Sequence, residues 1–166
     1  IARLAGCSPD FDAWNECVNE PADLSATNSR SCGGHISVGW DNPTQEQQLD
    51  MVKAMDATVG LESVLLDDDT ERKKLYGKAG CFRFCAWGIE YRSLSNFWIK
   101  TDESLKWAWN TTMKAIDLVN SGKIEEVKEL GSYIVEAINT NNKELAQELL
   151  NKIEIITNIK TEVLSK

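Results

Sequence analysis

Histidine is almost missing from this chain of 166 residues: there is one, His35. A structural zinc site would therefore need three or more cysteine ligands, and the cysteines lack paired C-x2-C spacing, so no metal site is expected. A Ser–His–Asp or Cys–His nucleophile would have to use His35, and no G-x-S-x-G elbow accompanies it. His35 follows Cys32-Gly33-Gly34, but catalytic pairs are normally brought together from separate segments. The expectation is a disulfide-bonded Cys32 beside an incidental surface histidine, with no catalytic residue nominated. Basic residues are also scarce: 18 Lys+Arg stand against 26 Asp+Glu, for a net charge of −8 and a pI near 4.7. That balance excludes duplex nucleic acid as the main partner, because phosphate recognition needs a basic footprint. No apolar run reaches the length of a bilayer span, so no transmembrane segment is expected. Neither G-x-x-x-x-G-K-[ST] nor G-x-G-x-x-G occurs, and no cofactor is expected. Asp67-Asp68-Asp69-Thr70-Glu71 invites a calcium reading. Counted from Asp67, however, the sixth position is Arg72 where an EF-hand needs glycine, and the twelfth is Lys78 where it needs glutamate. These acids are better read as favouring a helix start through its dipole.

What the chain does have is five cysteines and six tryptophans. Cys7, Cys17, Cys32, Cys81 and Cys85 can form at most two internal disulfides, leaving one thiol free, reactive or bonded to another chain. Cys81 and Cys85 are four apart in a stretch with helical spacing. They would lie on one helix face, poorly placed to bond each other. Two of Cys7, Cys17 and Cys32 are their expected partners. Such bonding implies an oxidising compartment, so the setting expected is secreted or the lumen of a secretory granule. The sequon at Asn110-Thr111-Thr112, a glycosylation candidate, and the rarer form at Asn15-Glu16-Cys17 agree with it.

Charge and residue type divide the chain. Residues 1–70 carry 3 basic and 13 acidic side chains; residues 71–121 carry 9 basic and 5 acidic ones, and nine of the thirteen aromatics. Residues 1–42 read as an acidic, loop-rich arm punctuated by Pro9, Pro21, Gly33, Gly34 and Gly39. Residues 43–166 read as a single helical domain. Asn42 is the expected N-cap of a first helix with Pro43 at its first position and Gly60 as its stop. From Ala79 to Ile99, Phe84, Trp87, Tyr91, Leu94 and Trp98 recur at three- and four-residue steps, which predicts an amphipathic helix. Thr101 caps a helix carrying Leu105, Trp109, Met113, Ile116 and Val119, which Gly122 ends. Ile124 to Ile138 and Leu145 to Val163 supply two more stripes, with a capping pattern at Asn141 and Glu144. The fold expected is all-α: a helical bundle with a disulfide-tethered N-terminal arm packed on it.

The basic aromatic centre is the one unusual chemical feature. Phe82, Arg83, Trp87, Tyr91, Arg92, Trp98, Trp107 and Trp109 together could stack on a small apolar or anionic ligand, or anchor a protein partner. The bland alternative is that these aromatics are the core of the helical domain. The function expected is a secreted, non-enzymatic binding protein for a partner protein or small apolar ligand. One alternative is a self-assembling structural subunit, a homo-oligomer joined through the unpaired cysteine; a further one is a hydrolase of unknown type.

Overall fold

A five-stranded antiparallel sheet lies against the helices, so the all-α expectation is wrong. The computed structural model describes residues 10–20 and 33–160. The strands are β1 (Phe11–Asp12), β2 (Cys17–Val18), β3 (Ile36–Gly39), β4 (Cys81–Cys85) and β5 (Gly88–Tyr91), in the order β2-β1-β4-β5-β3. β1, β2 and β3 come from the region expected to be an irregular arm.

β4 and β5 form a hairpin where a helix was expected between Ala79 and Ile99. The three- and four-residue steps of that stretch coexist with a period of two. Phe82 and Phe84 on β4 meet Tyr91 and Ile89 on β5 in register, all on one face. Phe82, Ile89 and Tyr91 are fully buried. Phe11 extends the cluster, its ring 5.6 Å from Phe82 and 5.0 Å from Phe84, edge to face. Glycine decides between the two periods. Gly80 has φ 76° and Gly88 φ 146°, neither of which a helix can accommodate. A side chain at Gly88 would also collide with the Val38 carbonyl on β3.

On the core side, α1 (Gln45–Met55) runs without interruption through a π-turn (Asp56–Gly60) into α2 (Leu61–Leu66). Gly60 therefore does not stop the helix. A Cβ there would stand 2.7 Å from Ile138 Cδ1 and 2.9 Å from Tyr91 Oη, so glycine is needed for close packing. Thr44, not Asn42, caps α1, in a capping box with Gln47; Asn42 sits at φ 49° in the preceding turn. Asp69 caps α3 (Thr70–Leu75) by accepting the Arg72 amide at 3.1 Å, in keeping with the helix-start reading of the acids. After a short 3-10 turn (Phe97–Ile99), α4 (Asp102–Asn120) begins at the expected Thr101 cap, and Gly122 follows it at φ 73°. α5 (Ile124–Lys128), α6 (Gly131–Thr140) and α7 (Lys143–Thr157) complete the chain. Asn141 closes α6 in the left-handed region, and Asn142, one residue later than expected, caps α7. Met55, Leu61, Leu118, Ile134, Ile138, Leu149 and Leu150 fill the core between sheet and helices.

The expected disulfides are also overturned. Cys17, Cys81 and Cys85 carry free thiols, while Cys7 and Cys32 lie outside the described residues. The strand geometry explains it. Cys81 and Cys85 occupy opposite ends of β4, roughly 13 Å apart at strand rise. Cys17 and Cys81 both pair with Asp12 from opposite sides, so they sit two strand spacings apart, about 10 Å, beyond disulfide reach.

Candidate active site

Strand alternation that sends Phe82, Ile89 and Tyr91 inward sends Arg83, Glu90 and Arg92 to the other face of the sheet. Register extends that row across three strands: Arg83 opposes Glu90, and Ser37 opposes Glu90 from β3. His35, just before β3, joins it. His35 Nδ1 donates to Glu90 Oε1 at 2.7 Å. Arg83 Nη1 reaches Glu90 Oε2 at 3.4 Å, and Arg92 Nε lies 3.6 Å from Oε1. One carboxylate thus organises an imidazole and two guanidinium groups. On the far side of Arg92, Nη1 stands 2.7 Å from Asp10 Oδ1, close enough for an ion pair but out of hydrogen-bond line.

Two features give this cluster a chemical direction. Burial, and next to it the positive charge of Arg92, hold the His35 pKa below its ordinary value, outweighing Glu90. At neutral pH the ring is therefore uncharged. With Nδ1–H committed to Glu90, Nε2 carries the free lone pair. An oriented, neutral imidazole of this kind has the arrangement that general-base chemistry needs. The cations beside it suit an anionic substrate group or developing negative charge. Neither thiol nearby competes as a nucleophile. Burial, helped by Asp10, pushes the Cys81 thiol up to about 12, and burial raises that of Cys85 as well.

The strands bearing this row are held from beneath by a buried carboxylate. Asp56 opens the π-turn and is fully buried. It accepts from Trp14 Nε1 at 2.7 Å, the Gly80 amide at 2.6 Å and the Tyr91 hydroxyl at 2.6 Å. It thereby ties the β1–β2 turn, the entry to β4 and the end of β5 to the long helix. Burial raises its pKa to about 6 despite those three donors. Arg72 of α3 supports the same strand end, donating through Nη1 to the Ser93 carbonyl at 3.0 Å. Gly34 matters to the approach of β3. Its amide donates to the Leu94 carbonyl at 3.1 Å and its carbonyl accepts from Trp98 Nε1 at 3.3 Å. A Cβ at Gly34 would strike the Trp98 indole nitrogen. Among the described residues, no group of three acidic, thiol or imidazole side chains is placed to hold a metal ion.

The eight residues of the expected basic aromatic centre do not gather in one place. Phe82, Tyr91 and Trp107 belong to the core. Trp107 donates to the buried Glu62 at 2.8 Å. Arg83 and Arg92 lie on the outer sheet face. Trp87 is exposed in the β4–β5 turn, Trp98 is half-buried behind Gly34, and Trp109 is exposed on the side of α4 away from the core. Asn110 is half-buried in mid-helix. His35, treated as incidental, is the centre of the polar cluster, and Glu90, Asp10, Asp56 and Arg72 were not singled out. The signal for Glu90 was present: Glu90-Tyr91-Arg92 reads polar–apolar–polar, which on a strand puts its carboxylate beside the guanidinium of Arg92.

A family model described as phage phiEco32-like COOH.NH2 ligase-type 2 matches residues 22–153. The chain belongs to that family. No curated protein and no solved structure matches the chain. Membership in this ligase family puts an enzyme where a non-enzymatic binding protein was expected. The matched segment contains His35, Arg72, Arg83, Glu90 and Arg92.

Proposed function

We propose that this ligase-family chain forms an amide bond between a carboxyl group and an amine on the outer face of its sheet, with His35 as the base. A carboxylate does not react with an amine unaided. Its carbon is shielded by charge, its oxygen is a poor leaving group, and an aliphatic amine is protonated at neutral pH. The carboxyl must first carry a better leaving group, supplied by a phosphoryl donor such as a nucleoside triphosphate. The amine then attacks the acyl phosphate, phosphate departs, and the nitrogen surrenders a proton. His35 Nε2 takes that proton, Glu90 holds the ring and stabilises the resulting imidazolium, Arg83 faces the negative charge on the oxygens, and the buried Arg92 holds Glu90 in place from behind.

The single observation carrying this reading is the His35–Glu90 hydrogen bond at 2.7 Å, flanked by two guanidinium groups, within the segment matched to the ligase family. The test supplies the chain with a nucleoside triphosphate, magnesium, and panels of carboxylic acids and amines. Phosphate release that needs both an acid and an amine is the expected result. Release indifferent to the amine, or none across the panels, would overturn the reading.

A further inference from the structure

Glu90 offers two carboxylate oxygens to three donors. Oε2 faces Arg83 Nη1 at 3.4 Å. Oε1 is shared: it accepts from His35 Nδ1 at 2.7 Å, and Arg92 Nε stands 3.6 Å from it. His35 and Arg92 therefore compete for one oxygen. Charge favours Arg92, a full cation, over a neutral imidazole. Arg92 is also only 7% exposed, and neither its Nε nor its Nη1 has a hydrogen-bond partner. A buried guanidinium in that state is drawn to any anion within reach.

Asp10 holds it back. Its Oδ1 stands 2.7 Å from Arg92 Nη1, nearer than Glu90 stands to Nε. Asp10 opens the β1–β2 hairpin. The Asn19 amide closes that hairpin on the Asp10 carbonyl at 2.8 Å, and the Ala13 amide reaches the Gly80 carbonyl at 3.0 Å. Phe11 and Asp12 pair with Phe82 and Cys81 of β4, and Trp14 is anchored on Asp56. These ties fix where the Asp10 carboxylate stands. Asp10 and the whole hairpin precede the segment matched to the ligase family, so the family match assigns them no part in the site.

We propose that Asp10 is a positioning residue of the site: it holds Arg92 away from Oε1 of Glu90, so that this oxygen stays with His35. The effect on turnover rests on the ligase reading, whereas the state of His35 reads the competition directly. The charged groups around His35 are Glu90 and Arg92 from β5 and its end, Arg83 of β4 through Glu90, Asp10 through Arg92, and Arg72 of α3, which reaches the Arg92 carbonyl. Without Asp10, Arg92 takes Oε1, the Nδ1–H tautomer loses its acceptor and the ring is harder to protonate. Without Arg92, His35 keeps Oε1 and is easier to protonate.

The test follows the single imidazole by NMR across pH in the full chain, in Asp10→Asn, in Arg92→Gln, in the double variant and in Asp12→Asn. Asp12→Asn removes an equal charge from the same hairpin but keeps the oxygen that accepts the Trp14 and Asn15 amides. In Asp10→Asn the His35 pKa should fall and the Nδ1–H signature weaken. In Arg92→Gln the pKa should rise with that signature kept. Adding Asp10→Asn to Arg92→Gln should shift the pKa by less than half of what it does in the parent. Asp12→Asn should leave the titration in place. Turnover of Asp10→Asn at pH 7 should fall about tenfold, with KM for the acid within about threefold. An unmoved titration in Asp10→Asn overturns the role, as does an equal shift from Asp12→Asn or an undiminished one in the Arg92→Gln background. If Asp10→Asn does not fold, Arg92→Gln decides alone, and no rise there overturns the proposal. Ligation by the parent with the Asp10→Asn titration unmoved sinks the role of Asp10 and leaves the ligase reading standing. A shifted titration in a chain whose ligation is absent, or unchanged by Asp10→Asn, does the reverse.

Discussion

Replacing Glu90 by glutamine separates chemistry from folding at the proposed site. The substitution keeps the side-chain shape and one acceptor oxygen, but removes the charge shared by His35, Arg83 and Arg92. His35 then loses the group that holds its Nδ1–H tautomer and stabilises its protonated form. General-base assistance from an oriented imidazole is worth about 10²–10⁴-fold, so kcat should fall by at least ~10², close to 3 kcal/mol of transition-state stabilisation. The stability cost has two parts. The Arg83 pair is half-exposed and worth under about 1 kcal/mol, but the buried Arg92 also loses its charged neighbour, which adds about 1–3 kcal/mol, so turnover is compared well below the melting temperature of the variant. The pH dependence supplies a second check. Glu90 raises the His35 pKa, so the variant's acid limb should move to lower pH. The residual rate at pH 7 then cannot be explained by a protonated imidazole. Turnover and melting temperature measured together decide the matter. Turnover within about threefold of the parent would refute the role given to Glu90.

Other consequences can be checked separately. His35 is the one histidine in the chain, so a proton NMR titration has a single imidazole to follow; its pKa should lie below 6.5, with the Nδ1–H tautomer in the neutral form. Asp56 has a folded pKa raised to about 6, so its contribution to stability is full at acid pH below its unfolded value and is lost as pH rises through about 6. Urea unfolding at pH 5 and pH 7.5 should show the parent losing about 1.4 kcal/mol more than Asp56→Asn over that interval, the rest of the loss falling below pH 5. Asp56→Ala, which strands Trp14 Nε1 and the Gly80 amide, should destabilise at both pH values by about 3 kcal/mol or more. Trp107→Phe should cost about 1.5–3 kcal/mol through the lost bond to Glu62, whereas Trp109→Ser on the exposed side of α4 should stay within about 0.5 kcal/mol.

The helical half of the molecule was legible where a local rule acts alone. Thr101 and Gly122 bracket α4, and the acids before Thr70 open α3, because capping depends on a few neighbouring residues. The segment 79–99 was misread because Phe84 and Tyr91 satisfy two periods at once, and the even spacing of apolar residues cannot tell helix from hairpin by itself. What separates them is the positive φ of Gly80 and Gly88, a property of the folded backbone. With the hairpin missed, the outer row of Arg83, Glu90 and Arg92 had no face to lie on, and His35 had no carboxylate to meet. The polar cluster also draws on Asp10 and Arg72, far apart in the chain and joined only by β1, β4 and α3 coming together. The expected bond from Cys17 failed for a related reason: β1 runs between Cys17 and Cys81, pairing Asp12 with both, which holds the two thiols two strand spacings apart.

The central claim is that amide bonds form at His35. The most direct test incubates the parent chain and His35→Asn side by side with an acid, an amine and a nucleoside triphosphate, and follows the product by mass spectrometry. Both proteins must first show the same fold by circular dichroism. The parent should yield the product of acid plus amine less one water, and His35→Asn should yield at least ~10²-fold less. Equal product from both would contradict the assignment of His35 and of the sheet face around it.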